Sequence, residues 1–190
     1  MRKTYFISDL HFGHKNTLGY DNRPWQTIEE NDRELINRWN NTVGMDDDVY
    51  ILGDISWYNA SRTIEIFNQL NGNKYLIRGN HDKKVLKSRE VQALFVEITD
   101  YKEIDFGYLK LILSHYPIPT FNGHFYNHVM LYGHVHNTFE WEYTERCRKI
   151  MTDELKKPCR MYNVGCMMKY IDYTPRTLGE ILEACENGEK

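Results

Sequence analysis

Val49-Tyr50-Ile51-Leu52-Gly53-Asp54 is a short apolar run that stops at a glycine and a carboxylate, and Lys74-Tyr75-Leu76-Ile77-Arg78-Gly79-Asn80-His81-Asp82 repeats the design one helix later. Runs of β-branched, aromatic and aliphatic residues of this length read as buried strands, and the glycine marks where the chain leaves the sheet. Between them, Ser61 to Leu70 carries Ile64, Phe67 and Leu70 at helical spacing, and Asn71-Gly72 ends that helix. Strand, helix and strand in succession make a βαβ unit with parallel strands.

Upstream the same grammar holds. Thr4 to Ser8 reads as a strand broken by Asp9-Leu10-His11-Phe12-Gly13-His14. A helix follows, opened by the capping-box pattern Thr27-Ile28-Glu29-Glu30, with Ile28, Leu35, Ile36, Trp39 and Val43 on one face. The first eighty or so residues are therefore expected to build a mainly parallel sheet with its polar motifs at strand ends. Downstream, strands are expected at Leu94 to Thr99, Leu109 to Leu113, Val129 to Tyr132 and Arg160 to Val164, with a short helix from Leu178 to Ala184. Few helical patterns separate them, so this half is expected to be antiparallel or mixed. Glu140 to Lys157 is rich in charge and lacks a clear period, and reads as an irregular excursion.

The chain of 190 residues suits one domain, spanning 1–190. With 24 Lys plus Arg against 27 Asp plus Glu, its formal charge is −3, and no basic stripe suggests strong nucleic-acid binding. No apolar run reaches membrane-spanning length, and the apolar start is broken at Asp9, too early for a secretory signal. Cys147, Cys159, Cys166 and Cys185 form no Cys-x-x-Cys pair. A reducing cytoplasm is the expected compartment. Oligomeric state leaves no mark in the sequence.

Five polar clusters stand at strand ends: Asp9 with His11, Asp54, Asn80 with His81, His115, and His134 with His136. Any one of them has an ordinary explanation as a cap, a turn or a surface histidine. Together they mix hard oxygen donors with imidazoles, the set that divalent transition metals or zinc prefer. Asp-x-His and His-x-His at strand ends are expected to aim alternate side chains to one side, above the carboxyl edge where open parallel sheets bind ligands.

Asp-x-His, Gly-Asp, Gly-Asn-His-Asp, His and Gly-His-x-His, in this order, resemble the signature of the calcineurin-like metallophosphoesterase superfamily. His11-Phe12-Gly13-His14, Arg23-Pro24, Trp39-Asn40 and Asn163-Val164-Gly165, followed by Pro175 and Leu178, are similar to a small single-domain bacterial and phage subgroup. Cys166-Met167-Met168 departs from that subgroup, where a more acidic stretch stands, and replaces no expected metal ligand.

The resemblance implies an α/β fold, a four-layer α/β/β/α sandwich of mixed sheets with flanking helices. It implies a phosphoesterase that hydrolyses phosphate mono- or diesters of small or medium size with a hydroxide held between two divalent cations, manganese first and iron, zinc or nickel as alternatives. Asp9, His11 and His136 would bind one cation, Asn80, His115 and His134 the other, and Asp54 both. Two like charges about 3.5 to 4 Å apart need such a shared anion. His81 would protonate the leaving oxygen or steady the phosphoryl group, and Asp82 would orient it. Arg78 is a candidate phosphate clamp or a plain surface arginine, and His14 a candidate to face the substrate or brace a ligand. Arg23, His124 and His128 are weaker candidates. The competing readings are a nuclease acting on nucleic-acid ends and a non-catalytic scaffold of the same fold. The complete donor set speaks against the scaffold.

Overall fold

The computed structural model describes residues 2–186. Its first half contains β1 (Thr4–Ile7), α1 (Thr17–Tyr20), α2 (Ile28–Thr42), β2 (Asp48–Ile51), α3 (Ala60–Phe67), β3 (Asn73–Ile77), α4 (Arg89–Gln92) and β4 (Glu97–Thr99). Then come β5 (Tyr101–Asp105), β6 (Lys110–Ser114), β7 (Val129–Tyr132), α5 (Phe139–Leu155), β8 (Met161–Asn163), β9 (Arg176–Thr177) and α6 (Leu178–Glu186). One sheet has the order β4-β3-β2-β1-β9 and the other β5-β6-β7-β8. Strands β1 to β4 are mutually parallel and β9 is antiparallel to β1. In the second sheet β6, β7 and β8 are parallel and β5 alone runs against them.

Helix α2 begins where its sequence says it should, because the Thr27 hydroxyl accepts the Glu30 N–H at 3.1 Å. Its Leu35 and Trp39 are buried, together with Val43 just past its end, and join Ile66 and Phe67 of α3 in the core against the first sheet. The strands of the second sheet separate their side chains by parity, as a pleated strand must. Leu111, Leu113, Val129, Leu131 and Tyr162 share the core of the first sheet, whereas Ile112, Met130, Tyr132 and Met161 belong to a second cluster. Trp141 and Met151 of α5 cover that second cluster. Helices, sheet, sheet and helix thus form four layers, the first three joined by one apolar cluster and the last covered through a second.

Three expectations need correction. Residues 140–157 are not irregular: α5 spans most of them, capped by Thr138, whose hydroxyl accepts the Glu140 N–H at 3.2 Å. The strand expected at Leu94 to Thr99 is confined to Glu97–Thr99 and joins the parallel sheet; β5 was not foreseen at all, because its side chains alternate between exposed and half-buried without an apolar face. Among the described residues no helix is long and apolar enough to cross a membrane.

Candidate metal centre

The carboxyl ends of β1, β2, β3, β6 and β7 open onto one place, and each delivers part of the cluster there. Asp9, His11, Asp54, Asn80, His115, His134 and His136 come together, and Asp9, His11, Asp54 and His115 are buried. Two groupings could hold a cation, Asp9 with His11 and His136, and Asp9 with Asp54 and His115; within each, the donor atoms lie within 4.8 Å of one another. Asp9 belongs to both groupings, and Asp54 Oδ2 of the second also approaches the first, 3.6 Å from His11 Nε2 as well as 3.6 Å from His115 Nε2.

The pairs converge by a different route from the one expected. Extended alternation would place Asp9 and His11 on one side, but the backbone is left-handed at both, with φ of 58° and 50°. Asp54, His134 and His136 are also left-handed, at 56°, 71° and 49°. That conformation is costly for side chains with a Cβ, and it persists only where the surroundings impose it. Five such residues in one cluster, half of the left-handed non-glycine residues described, are a concentration of backbone strain often found at functional sites. Glycines make the close approach possible: a Cβ on Gly79 would lie 2.2 Å from Asp54 Oδ1, and one on Gly133 2.6 Å from Asp9 Oδ2.

Hydrogen bonds fix the donors. The His115 Nδ1–H donates to the Leu52 carbonyl at 2.7 Å, so a neutral ring presents the lone pair of Nε2 to the cluster. That lone pair faces Asn80 Oδ1 at 2.9 Å, and His134 Nδ1 faces the same oxygen at 3.0 Å. The His136 Nδ1–H donates to Asp21 Oδ1 at 2.6 Å, which turns its Nε2 toward His11 Nε2, 3.2 Å away. His11 Nδ1 is buried and has no partner among the described residues. His115 thus sets a lone pair against the Asn80 oxygen, and with two buried carboxylates alongside the cluster gathers negative charge and lone pairs that a cation between them would relieve. The donor chemistry of this cluster therefore fits divalent cations.

Burial shapes the protonation of the same groups. It pulls the imidazoles of His11 and His134 below their ordinary range, His11 strongly, and it raises the Asp54 carboxyl, with Asp9 adding to that rise. At His136 burial also acts downward, but its hydrogen bond to Asp21 and the charge of Asp9 outweigh it and the pKa is raised.

Asp21 and Arg23 are the residues that sequence reasoning undervalued. Buried Arg23 binds Asp21 Oδ2 through Nε at 3.0 Å and reaches the carbonyls of Asp9 at 3.0 Å and Leu10 at 3.1 Å. It thereby braces the left-handed turn at Asp9 and anchors the carboxylate behind His136. The Arg23-Pro24 pair was the available signal; Asp21 carried none. Asp82 has a different task from the one expected. Its buried carboxylate accepts the backbone N–H groups of Asp54, Ile55 and Gly79 at 3.0, 2.9 and 2.7 Å, so it ties two motif loops together and does not orient the His81 ring.

His81 is the exposed imidazole of the centre. Its Nε2 lies 4.0 Å from Asp54 Oδ2, its backbone N–H donates to Asp54 Oδ1 at 2.9 Å, and its ring has no hydrogen bond among the described residues. His14 sits beside it, half-buried and stacked flat on Trp57 at 4.0 Å, with its ring 5.5 Å from that of His11. Arg78 is not gathered in: its Nε donates to Asp100 Oδ1 at 2.7 Å in an exposed pair. His124 and His128 hydrogen-bond within their own loop. Cys166, Met167 and Met168 are buried, and the Cys166 thiol lies 3.1 Å from the Asp9 carbonyl, so this stretch packs beneath the first metal loop.

An uncharacterised protein of Methanocaldococcus jannaschii is 33% identical over 191 residues, which cover all of this chain and 94% of its own. The gene 66 protein of Mycobacterium phage L5 is 34% identical over 134 residues, 62% of this chain and 64% of that one. The crystal structure of a protein of unknown function from Aquifex aeolicus superposes with a TM-score of 0.62 over 95% of this chain and 98% of its own, at 24% identity, and shows the same fold. The family profile of calcineurin-like phosphoesterases matches residues 2–161, and the chain belongs to that family.

Proposed function

We propose that the chain hydrolyses phosphate mono- or diesters with two divalent cations, manganese first among them, held by Asp9, His11 and His136 on one side and Asn80, His115 and His134 on the other, with Asp54 shared. The observation that supports this reading is the gathering of carboxylates, an amide oxygen and imidazoles around Asp54, whose Oδ2 lies 3.6 Å from both His11 Nε2 and His115 Nε2. Bound there, the cations supply Lewis acidity, neutralising phosphoryl charge and lowering the pKa of water. The chain supplies the rest. The Leu52 carbonyl and Asp21 fix the tautomers of His115 and His136, and Asp82 holds the loops of Asp54 and Asn80 in register.

His81 is left free to act on the substrate. Its exposed ring, 4.0 Å from Asp54 Oδ2 and without a hydrogen bond among the described residues, supports a role in giving a proton to the departing oxygen. His81→Ala is expected to slow alkyl phosphodiesters by on the order of a hundredfold or more, and p-nitrophenyl esters distinctly less, because a phenolate leaves without help. Steady-state rates on both ester classes, with metal content measured alongside, check this. Equal losses on both classes with metals retained would instead assign His81 to positioning the phosphoryl group.

A further inference from the structure

His81 lacks the support that His115 and His136 have. Its ring has no hydrogen bond among the described residues, and the carboxylate of neighbouring Asp82 is committed to three backbone N–H groups. The His81 side chain is 43% exposed and stands at the edge of a cleft of about 300 Å³. An imidazole with rotatable side-chain torsions and open space beside it gains entropy by turning away from the centre, unless a contact holds it.

Trp57 makes that contact. The two ring centroids are 4.5 Å apart with the planes at 53°, nearer than the 5.8 Å between His81 and His11. On the opposite face the indole is stacked on His14, 4.0 Å away and within 6° of parallel. The rings run His14, Trp57, His81, and both neighbours hold the middle one. Its backbone is held as well. The Trp57 N–H donates to the Phe12 carbonyl at 2.8 Å and the Phe12 N–H to the Ile55 carbonyl at 3.2 Å, which ties the chain carrying the indole to the loop carrying Asp9 and His11. Trp57 is nonetheless 44% exposed, so core packing alone does not account for an indole here. Anchored in this way it is a stiff wall, and contact with it favours the His81 ring position in which Nε2 lies 4.0 Å from Asp54 Oδ2. We infer that Trp57 is a positioning residue for His81, holding the imidazole toward the metal centre by ring contact where no carboxylate does so. Its effect on catalysis rests on the phosphoesterase reading; the placement of the ring does not.

The two parts are tested separately. With zinc added, which is diamagnetic, the His81 ring protons are identified by nuclear magnetic resonance as those absent from His81→Ala. Lying over the indole, they should resonate upfield of an exposed histidine. Trp57→Ala should return them to the exposed position, and Trp57→Phe should keep part of the displacement. His81 ring protons that ignore Trp57→Ala would overturn the inference. Rates are then measured on the manganese-loaded chain, with metal content alongside. Trp57→Ala should lower kcat on alkyl phosphodiesters by about three- to tenfold, the scale of one aromatic contact, with a smaller loss on p-nitrophenyl esters and little change in KM. Trp57→Phe should recover most of that rate. In the His81→Ala background Trp57→Ala should cost nothing further, because the ring it holds is gone. Equal fractional losses in the two backgrounds would show Trp57 acting independently of His81 and would overturn the positioning role. If no ester is hydrolysed, the phosphoesterase reading falls, and the resonances alone decide whether Trp57 holds the ring.

Discussion

At one end of the centre His136 is fixed by a carboxylate, Asp21, which is itself paired with buried Arg23; at the other, His115 is fixed by the backbone carbonyl of Leu52. The first arrangement puts a negative charge behind the imidazole and raises its pKa; the second offers only a dipole. The first also depends on side chains from a loop with no ligand of its own, so on the proposed two-cation reading a substitution there weakens one cation and spares the other. Backbone support cannot be mutated away in the same manner. The lesson is that two halves of one site, similar in ligand count, differ in how they can fail.

The comparison predicts a graded series. Asp54→Ala should erase it, because Asp54 stands between the two ends, and activity and both metals should be lost. Asn80→Ala removes a donor from one end only and should cost less in rate and in metal content. If the two variants lose equally in rate and retain metal equally, Asp54 is not shared. Asp21→Asn keeps the shape and removes the charge behind His136, and is expected to weaken metal at that end by about 10- to 100-fold. Metal content titrated against a chelator should then fall in two steps, one cation leaving well before the other. A single step with the wild-type midpoint would show that the buried pair does not bear on affinity.

Arg78→Ala stands at the small end of the series. Its guanidinium is held by Asp100 at the surface, and exposed pairs contribute little to stability. Rate and Tm should both be unchanged; a fall in rate with intact metals would return Arg78 to the substrate.

The same contrast between local and distant support explains what could be read from the sequence. The motif loops announce themselves because each follows a short apolar strand and breaks at a glycine or a charged side chain, as at Gly53-Asp54 and Gly79-Asn80. Their left-handed backbone was not read from the sequence, because Asp and His favour that region only in a minority of positions, and alternation gave the right convergence for the wrong reason. Asp21 was invisible because its partner His136 lies 115 residues away. Helix α5 was missed because the face it turns inward passes from Trp141 through Thr144 and Arg148 before reaching Met151, which breaks the apolar stripe. Its content of Glu, Arg, Lys and Met, good helix formers, was the better guide, and the Arg148–Glu145 pair supports it locally.

The central claim is that these donors hold two cations on which catalysis depends. The most direct measurement is metal content per chain together with hydrolysis of an aryl phosphodiester, before chelation, after it, and after manganese is returned. The account predicts two cations per chain, loss of both metal and activity to the chelator, and recovery of both with manganese. Full activity in the metal-free chain would contradict it.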